Sequence, residues 1–318
     1  MKDALKHIQI SKETTTIIKG LACLIIVAHH YCSWLMGKGY GNTIVNFIGV
    51  RGGVVGVAIF FFLSSWGLCE SQARNHYSFE SFVKRRLLKV YVPLIITNFL
   101  YYIILLLIGS ISFNLPDLLL NTFNLKFIDG VLWFCNTIMI FYLVFYLSFI
   151  PESKWVSVSI CLICTFAYSV VSTIIYPDSP FYVYSIVAFP LGLICSLYKE
   201  SLIKITRWGS WCVIILFFLL SASIIFPSYS KLFLMNSFIL IFLVLLVAII
   251  QRLKISGKYM VLSYIGLYSY EIYLLHNKVL VPMGESNHLL LYPLVFVLIV
   301  IPFAVLLNKI VKIIIKIS

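Results

Sequence analysis

Charge is scarce in this chain. Asp, Glu, Lys and Arg make up 11% of its 318 residues and the acids number only 11, too few to coat a water-soluble domain. A polar domain, a low-complexity tail and an obvious internal repeat are all missing. A disulfide framework is missing too, because the eight cysteines, at 23, 32, 69, 135, 161, 164, 195 and 212, nearly all fall in apolar runs where they act as small hydrophobes. Cys161 and Cys164 form a C-x-x-C, but no second ligand pair or redox context accompanies it, which argues against a metal or thioredoxin-like role. No cleavable signal is expected either: the apolar run from Ile17 is long, lacks a small-residue cleavage site and should remain as a first span.

What fills the chain is hydrocarbon, 62% hydrophobic residues with a mean hydropathy of +1.04, the composition of a polytopic membrane protein. Apolar windows of about 20 residues predict ten spans, near 17–36, 44–69, 87–109, 131–150, 155–175, 182–198, 207–226, 232–250, 261–281 and 289–315. The net charge of +13 is scattered in short clusters with no continuous basic face, so nucleic acid is not the expected partner. Assigning alternate connections to opposite sides instead puts 19 of the 24 Lys and Arg on the side of the N-terminus, leaving Lys38, Lys126, Lys231 and Lys278 opposite and Arg51 inside span two. That bias predicts an all-α bundle with both termini cytoplasmic. The connection at 110–130, with Asp117 and Asp129, falls outside, as a cover for an acceptor site or a plain surface loop. Pro93, Pro190 and Pro302 can kink their spans.

A charge at the centre of a span costs at least about 2.5 kcal/mol, so the exceptions carry information. Lys19 and His30 are eleven residues apart in the first span, which returns them to within roughly 20° of one helix face, about 16 Å apart along the axis, while His29 faces elsewhere. This geometry can hold one end of a long ligand and do chemistry at the other; alternatively, Lys19 is a membrane anchor and the histidines fill polar gaps. In the ninth span Ser269, Tyr273 and His276 follow i, i+4, i+7 spacing and form a polar stripe, lining a cavity or bonding across a helix interface. Glu271 is the acid well inside a span, with Arg51 as a candidate partner. Lys84, Arg85, Arg86 and Lys89 flank the start of span three, either as inside-positive charge or as a phosphate clamp.

Several segments in order resemble the acyltransferase type 3 family of integral-membrane proteins. They are Lys19 followed by His30; Gly56-Val-Ala-Ile-Phe-Phe-Phe-Leu-Ser64; Lys84-Arg85-Arg86 with Lys89 and Pro93; Trp133 to Tyr142; and Ser269-Tyr270-Glu271-Ile272-Tyr273-Leu274-Leu275-His276. The resemblance implies a single ten-helix domain over 1–318 in the cytoplasmic membrane. Its implied reaction moves an acyl group, usually acetyl, from cytoplasmic acyl-CoA to a hydroxyl of a carbohydrate or other envelope acceptor. It implies His30 as the catalytic histidine, Lys19 at the position of a CoA-contacting arginine, and Arg86 with Lys89 at a paired-arginine motif. Lysine at 19 and 89 keeps the charge but loses bidentate geometry; Ser65 stands where glycine is common and Ala58 where an acid is. Some relatives append a soluble esterase-like domain, and none is expected here.

On this reading Lys19, Arg85, Arg86 and Lys89 meet the CoA phosphates, and His30 acts as general base or as a nucleophile forming an acyl-imidazole. Arg51, Glu271, Tyr273 and His276 orient the acceptor or stabilise an oxyanion. Acetyl-CoA is the expected co-substrate, with no metal; the bilayer and a glycan are the other expected partners, and a homo-oligomer is compatible. The rival class is a transporter or flippase for a saccharide or small metabolite, for which ten spans suit equally well, although paired Gly/Pro-interrupted helices in corresponding halves are missing.

Overall fold

A computed structural model describes residues 11–75, 77–151, 153–199, 260–280 and 291–317. The predicted spans at 207–226 and 232–250 lie outside the described residues, as do Lys2, Lys6, Lys204, Arg207, Lys231, Arg252, Lys254 and Lys258. The regular structure of the described residues is entirely helical. Among the described residues six helices are long and apolar enough to cross a membrane: α1 (Lys12–Gly37), α2 (Thr43–Asn75), α3 (Phe79–Leu107), α5 (Gly130–Ser148), α6 (Lys154–Ile175) and α10 (Leu291–Lys316). Between them lie the shorter α4 (Leu115–Thr122), α7 (Ala188–Leu197), α8 (Met260–Leu267) and α9 (Ser269–Leu280).

Local chemistry sets the helix starts. Ser11 accepts from the Thr14 amide at 3.0 Å ahead of α1, Asn42 accepts from the amides of Ile44 and Val45 at 3.0 Å ahead of α2, and Asn114 caps α4 through Asp117. The predicted ninth span is not one helix. It breaks at Tyr268, whose amide bonds Ile265 O at 3.2 Å and tightens the end of α8 before α9 begins. Two long helices also contain a π turn, Val83–Leu87 in α3 and Phe296–Val300 in α10, each widening the helix beyond the α repeat.

The chain divides into two compact units. The first contains Val54 to Asn75 of α2, the end of α5, α6 and α7, around a core that includes Phe61, Phe62, Phe145 and Phe189. Close helix approach is what Gly192 provides: a Cβ there would lie 2.3 Å from the Phe62 carbonyl oxygen. Ser185 donates to Val54 O at 2.9 Å. Because α2 runs past the predicted end of its span, Glu70 lies within the helix, where it accepts from Ser196 at 2.9 Å and Lys199 at 3.0 Å.

The second unit takes α1 from Cys23, α2 up to Gly53, α3, α4, most of α5, the end of α8, α9 and α10. Here α9 packs against α3 and α10. The segment 110–130 is built as α4 followed by a polar knot, in which Asn98 donates to Asn121 O at 3.1 Å and Asn124 donates to Asn136 at 2.9 Å. A short 3-10 turn, Gly130–Leu132, then opens α5, capped by Asp129 through the Val131 amide at 3.2 Å.

Candidate active site

Three imidazoles gather inside the second unit. The His30 ring lies 5.1 Å from that of His276 and 4.8 Å from that of His29, centroid to centroid. The sequence expectation that His29 faces elsewhere is corrected here. Although consecutive helix positions differ by about 100° in direction, the ring of His29 leans back against its neighbour. It is held there by a bond from Nδ1 to Ile48 O at 3.2 Å and by the bare backbone of α2: a Cβ on Gly53 would lie 2.6 Å from His29 Cδ2.

His276 is fully buried on α9. Its Nδ1 faces the Tyr273 carbonyl at 2.7 Å, and since a carbonyl only accepts, Nδ1 carries the proton of the neutral ring. Nε2 is thereby left as a lone pair, and it is buried with no hydrogen-bond partner among the described residues. The predicted stripe of Ser269, Tyr273 and His276 is buried along its length. The Tyr273 hydroxyl is committed, donating to Val131 O.

A second group of contacts grips α9 immediately after His276. Asn277 donates to Asp129 Oδ1 at 2.6 Å, and Lys278 approaches Asp129 Oδ2 at 3.7 Å with side chains only 4% and 3% exposed. The Lys278 ammonium also lies 5.5 Å from the centre of the Tyr101 ring. Nearer the start of α9, the Glu271 carboxylate accepts from Asn308 at 2.6 Å, the partner that the expected pairing with Arg51 did not foresee.

The basic cluster sits on the π turn of α3. Among the described residues Arg86 has a buried Nε without a hydrogen-bond partner, the Arg85 guanidinium lies 5.3 Å from the Tyr77 ring centre, and Lys89 is within electrostatic reach of Arg85, Arg86 and Lys312. Lys84 instead faces Glu80 at 3.6 Å in an exposed i, i+4 pair. Arg51 is half-buried on α2 beside the glycines, and Lys19 is half-buried on α1, in the first unit.

The structure therefore brings together His30 and His276, with Tyr273 on the same buried face, and separately groups Arg85, Arg86 and Lys89. Asp129, Asn277, Lys278, Asn308 and Lys312 were not singled out from sequence. Asp129 reads as a loop acid and Lys278 as an outer-side cation, while the Asn277 beside His276 was the available signal. An open cleft lined by Tyr102, Ser110, Ser112, Asp117, Asn121 and Lys126 opens at the end of α3, with Ile128, the neighbour of Asp129, also in its lining. Among the described residues no group of three or more His, Cys, Asp or Glu side chains has the geometry to hold a metal ion.

No curated protein and no solved structure matches the chain. A family model described as an acyltransferase domain matches residues 16–309, nearly the whole length, and the chain accordingly belongs to the acyltransferase type 3 family of integral-membrane acyltransferases.

Proposed function

We propose that the protein is a membrane O-acetyltransferase that moves the acetyl group of cytoplasmic acetyl-CoA to a hydroxyl of a cell-envelope or surface carbohydrate. The observation that carries this reading is the pairing of half-buried His30 with fully buried His276, whose Nε2 has no hydrogen-bond partner among the described residues. Intramembrane histidines are suited to moving protons.

The activated acyl group arrives as a thioester. His30 removes the proton of the acceptor hydroxyl as its oxygen attacks the thioester carbonyl. Collapse of the tetrahedral intermediate forms the ester C–O bond and breaks the C–S bond, and the proton on His30 passes to the departing thiolate. His276, with its lone pair beside His30, steadies the imidazolium that exists between these events. Arg51 is the cation proposed to meet the developing oxyanion. Tyr273 and Glu271, whose polar atoms are engaged by Val131 and Asn308, hold α9 rather than the acceptor.

The phosphates of the donor fit the π-turn cluster: Arg86 has an orphaned buried Nε, and Arg85, Lys89 and Lys312 add positive charge around it. Lys19 keeps the positive charge that the family resemblance assigns to donor binding. The inside-positive bias supports cytoplasmic termini in the inner membrane, with ten spans, and the cleft at the end of α3, lined by both polar and apolar side chains with the Asp117–Lys126 ion pair among them, is the proposed side of approach for a sugar.

Incubation of the purified protein with radiolabelled acetyl-CoA and envelope glycans is expected to transfer label, and His30→Ala to transfer it at least ~10²-fold more slowly while keeping its melting temperature. Absence of both CoA binding and label transfer in the native protein would overturn the reading in favour of a transporter or flippase.

A further inference from the structure

The costliest polar arrangement in the second unit lies just beyond the histidines. Asp129 and Lys278 are an ion pair with almost no exposure, and burying such a pair is no aid to stability by itself, because apolar residues of similar volume usually do as well. Its place in the fold points to another purpose. The pair joins the mouth of α5 to the residues that immediately follow His276.

Three hooks fasten α9 to the segment Asp129–Val131, and they bracket His276. Before it, the Tyr273 hydroxyl donates to Val131 O; after it, Asn277 donates to Asp129 Oδ1 and Lys278 meets Oδ2. Asp129 itself is anchored, since its Oδ1 also accepts from the Val131 amide. An imidazole bonded to the backbone of its own helix, Nδ1 to Tyr273 O, has its position set by where that helix is held. A shift of about 1 Å in a positioned group is enough to cost on the order of a hundredfold in rate.

We propose that Asp129 is a positioning residue for His276: clamped by Asn277 and Lys278, it holds the imidazole against His30. Lys278 compensates the carboxylate, so that the strong acceptor needed by Asn277 can be kept in a dry site. This inference rests on the acyl-transfer reading above, and it assigns work to a loop acid and a lysine that charge counting alone places outside the membrane.

Two double variants isolate the hook, because both remove the two charges together and neither strands one of them. Asp129→Asn with Lys278→Met keeps an Oδ1 for Asn277, whereas Asp129→Leu with Lys278→Met does not. Steady-state acetyl transfer per folded molecule is measured alongside the melting temperature. The Asn version is expected to keep kcat within about threefold of the native protein, and the Leu version to lose at least tenfold, with the acetyl-CoA KM unchanged in both. Equal kcat in the two folded variants would overturn the proposal and leave the pair a packing feature. Should the Leu version not fold, Asn277→Ala removes the same hydrogen bond from the other side; a drop in kcat of fivefold or more at unchanged donor KM supports the proposal, and native kcat overturns it. If the native protein itself transfers no acetyl group, the acyl-transfer reading fails first and this inference falls with it.

Discussion

His30 on α1 and His276 on α9 meet with ring centroids 5.1 Å apart, and the buried Nε2 of His276 has no hydrogen-bond partner among the described residues. In the proposed acyl transfer this pair accepts and returns the proton of the acceptor hydroxyl. Removal of either ring therefore tests a different half of the arrangement.

His30→Ala is expected to reduce acetyl transfer by ~10²-fold or more, the scale of general-base loss. His276→Ala should lower kcat to a smaller extent, since it removes only the neighbour of the base. His29→Ala should fall between that variant and native rate, because its ring touches His30 and helps to place it. Parallel kcat measurements on the three folded variants check the order.

Gly53→Ala tests the seating of His29. The new methyl would meet the imidazole at 2.6–2.7 Å, so one of the two must move. Overpacking of this kind costs ~1–3 kcal/mol, expected as a fall in melting temperature together with reduced kcat.

If the π-turn cluster binds the donor as proposed, its variants separate donor binding from chemistry. Arg86→Gln and Lys89→Gln are each expected to raise the acetyl-CoA KM several-fold with a lesser change in kcat, and to weaken its dependence on salt. Lys84→Gln should behave as native, since Lys84 is exposed and faces Glu80. An increase in KM for Lys84→Gln equal to that for Arg86→Gln would contradict the assignment.

Asn308→Leu leaves the Glu271 carboxylate without the partner that donates to it at 2.6 Å. A stranded buried acceptor costs ~1–3 kcal/mol, so the single variant should melt earlier than the native protein. Glu271→Gln with Asn308→Leu, which removes the charge as well, should recover part of that loss.

Much of the helical plan was legible before any coordinates. Span one was expected at 17–36 and is the core of α1; span five was expected at 155–175 and is α6 within a residue. Hydropathy succeeds there because a lipid-facing helix must satisfy its backbone internally and be apolar over its length. It failed in the ninth span, where the break at Tyr268 is set by one local backbone bond that composition does not register. The facing of the basic residues was equally hidden: periodicity assumes an α repeat, and the π turn of Val83–Leu87 widens the turn that carries Lys84, Arg85 and Arg86.

By itself the sequence determined that the chain is helical and membrane-embedded, and which few polar residues interrupt the hydrocarbon, His30 and His276 among them. A sparse polar residue in an apolar run is visible in one dimension because its cost depends on depth alone. Which of those residues touch was decided only by the tertiary structure. Asp129 reads as a loop acid and Lys278 as a surface cation until packing buries them against each other, since a side chain's partner depends on which helices meet and not on its own helical period. For the same reason His29 joined His30: its neighbour's backbone at Gly53 left room for the ring on that side.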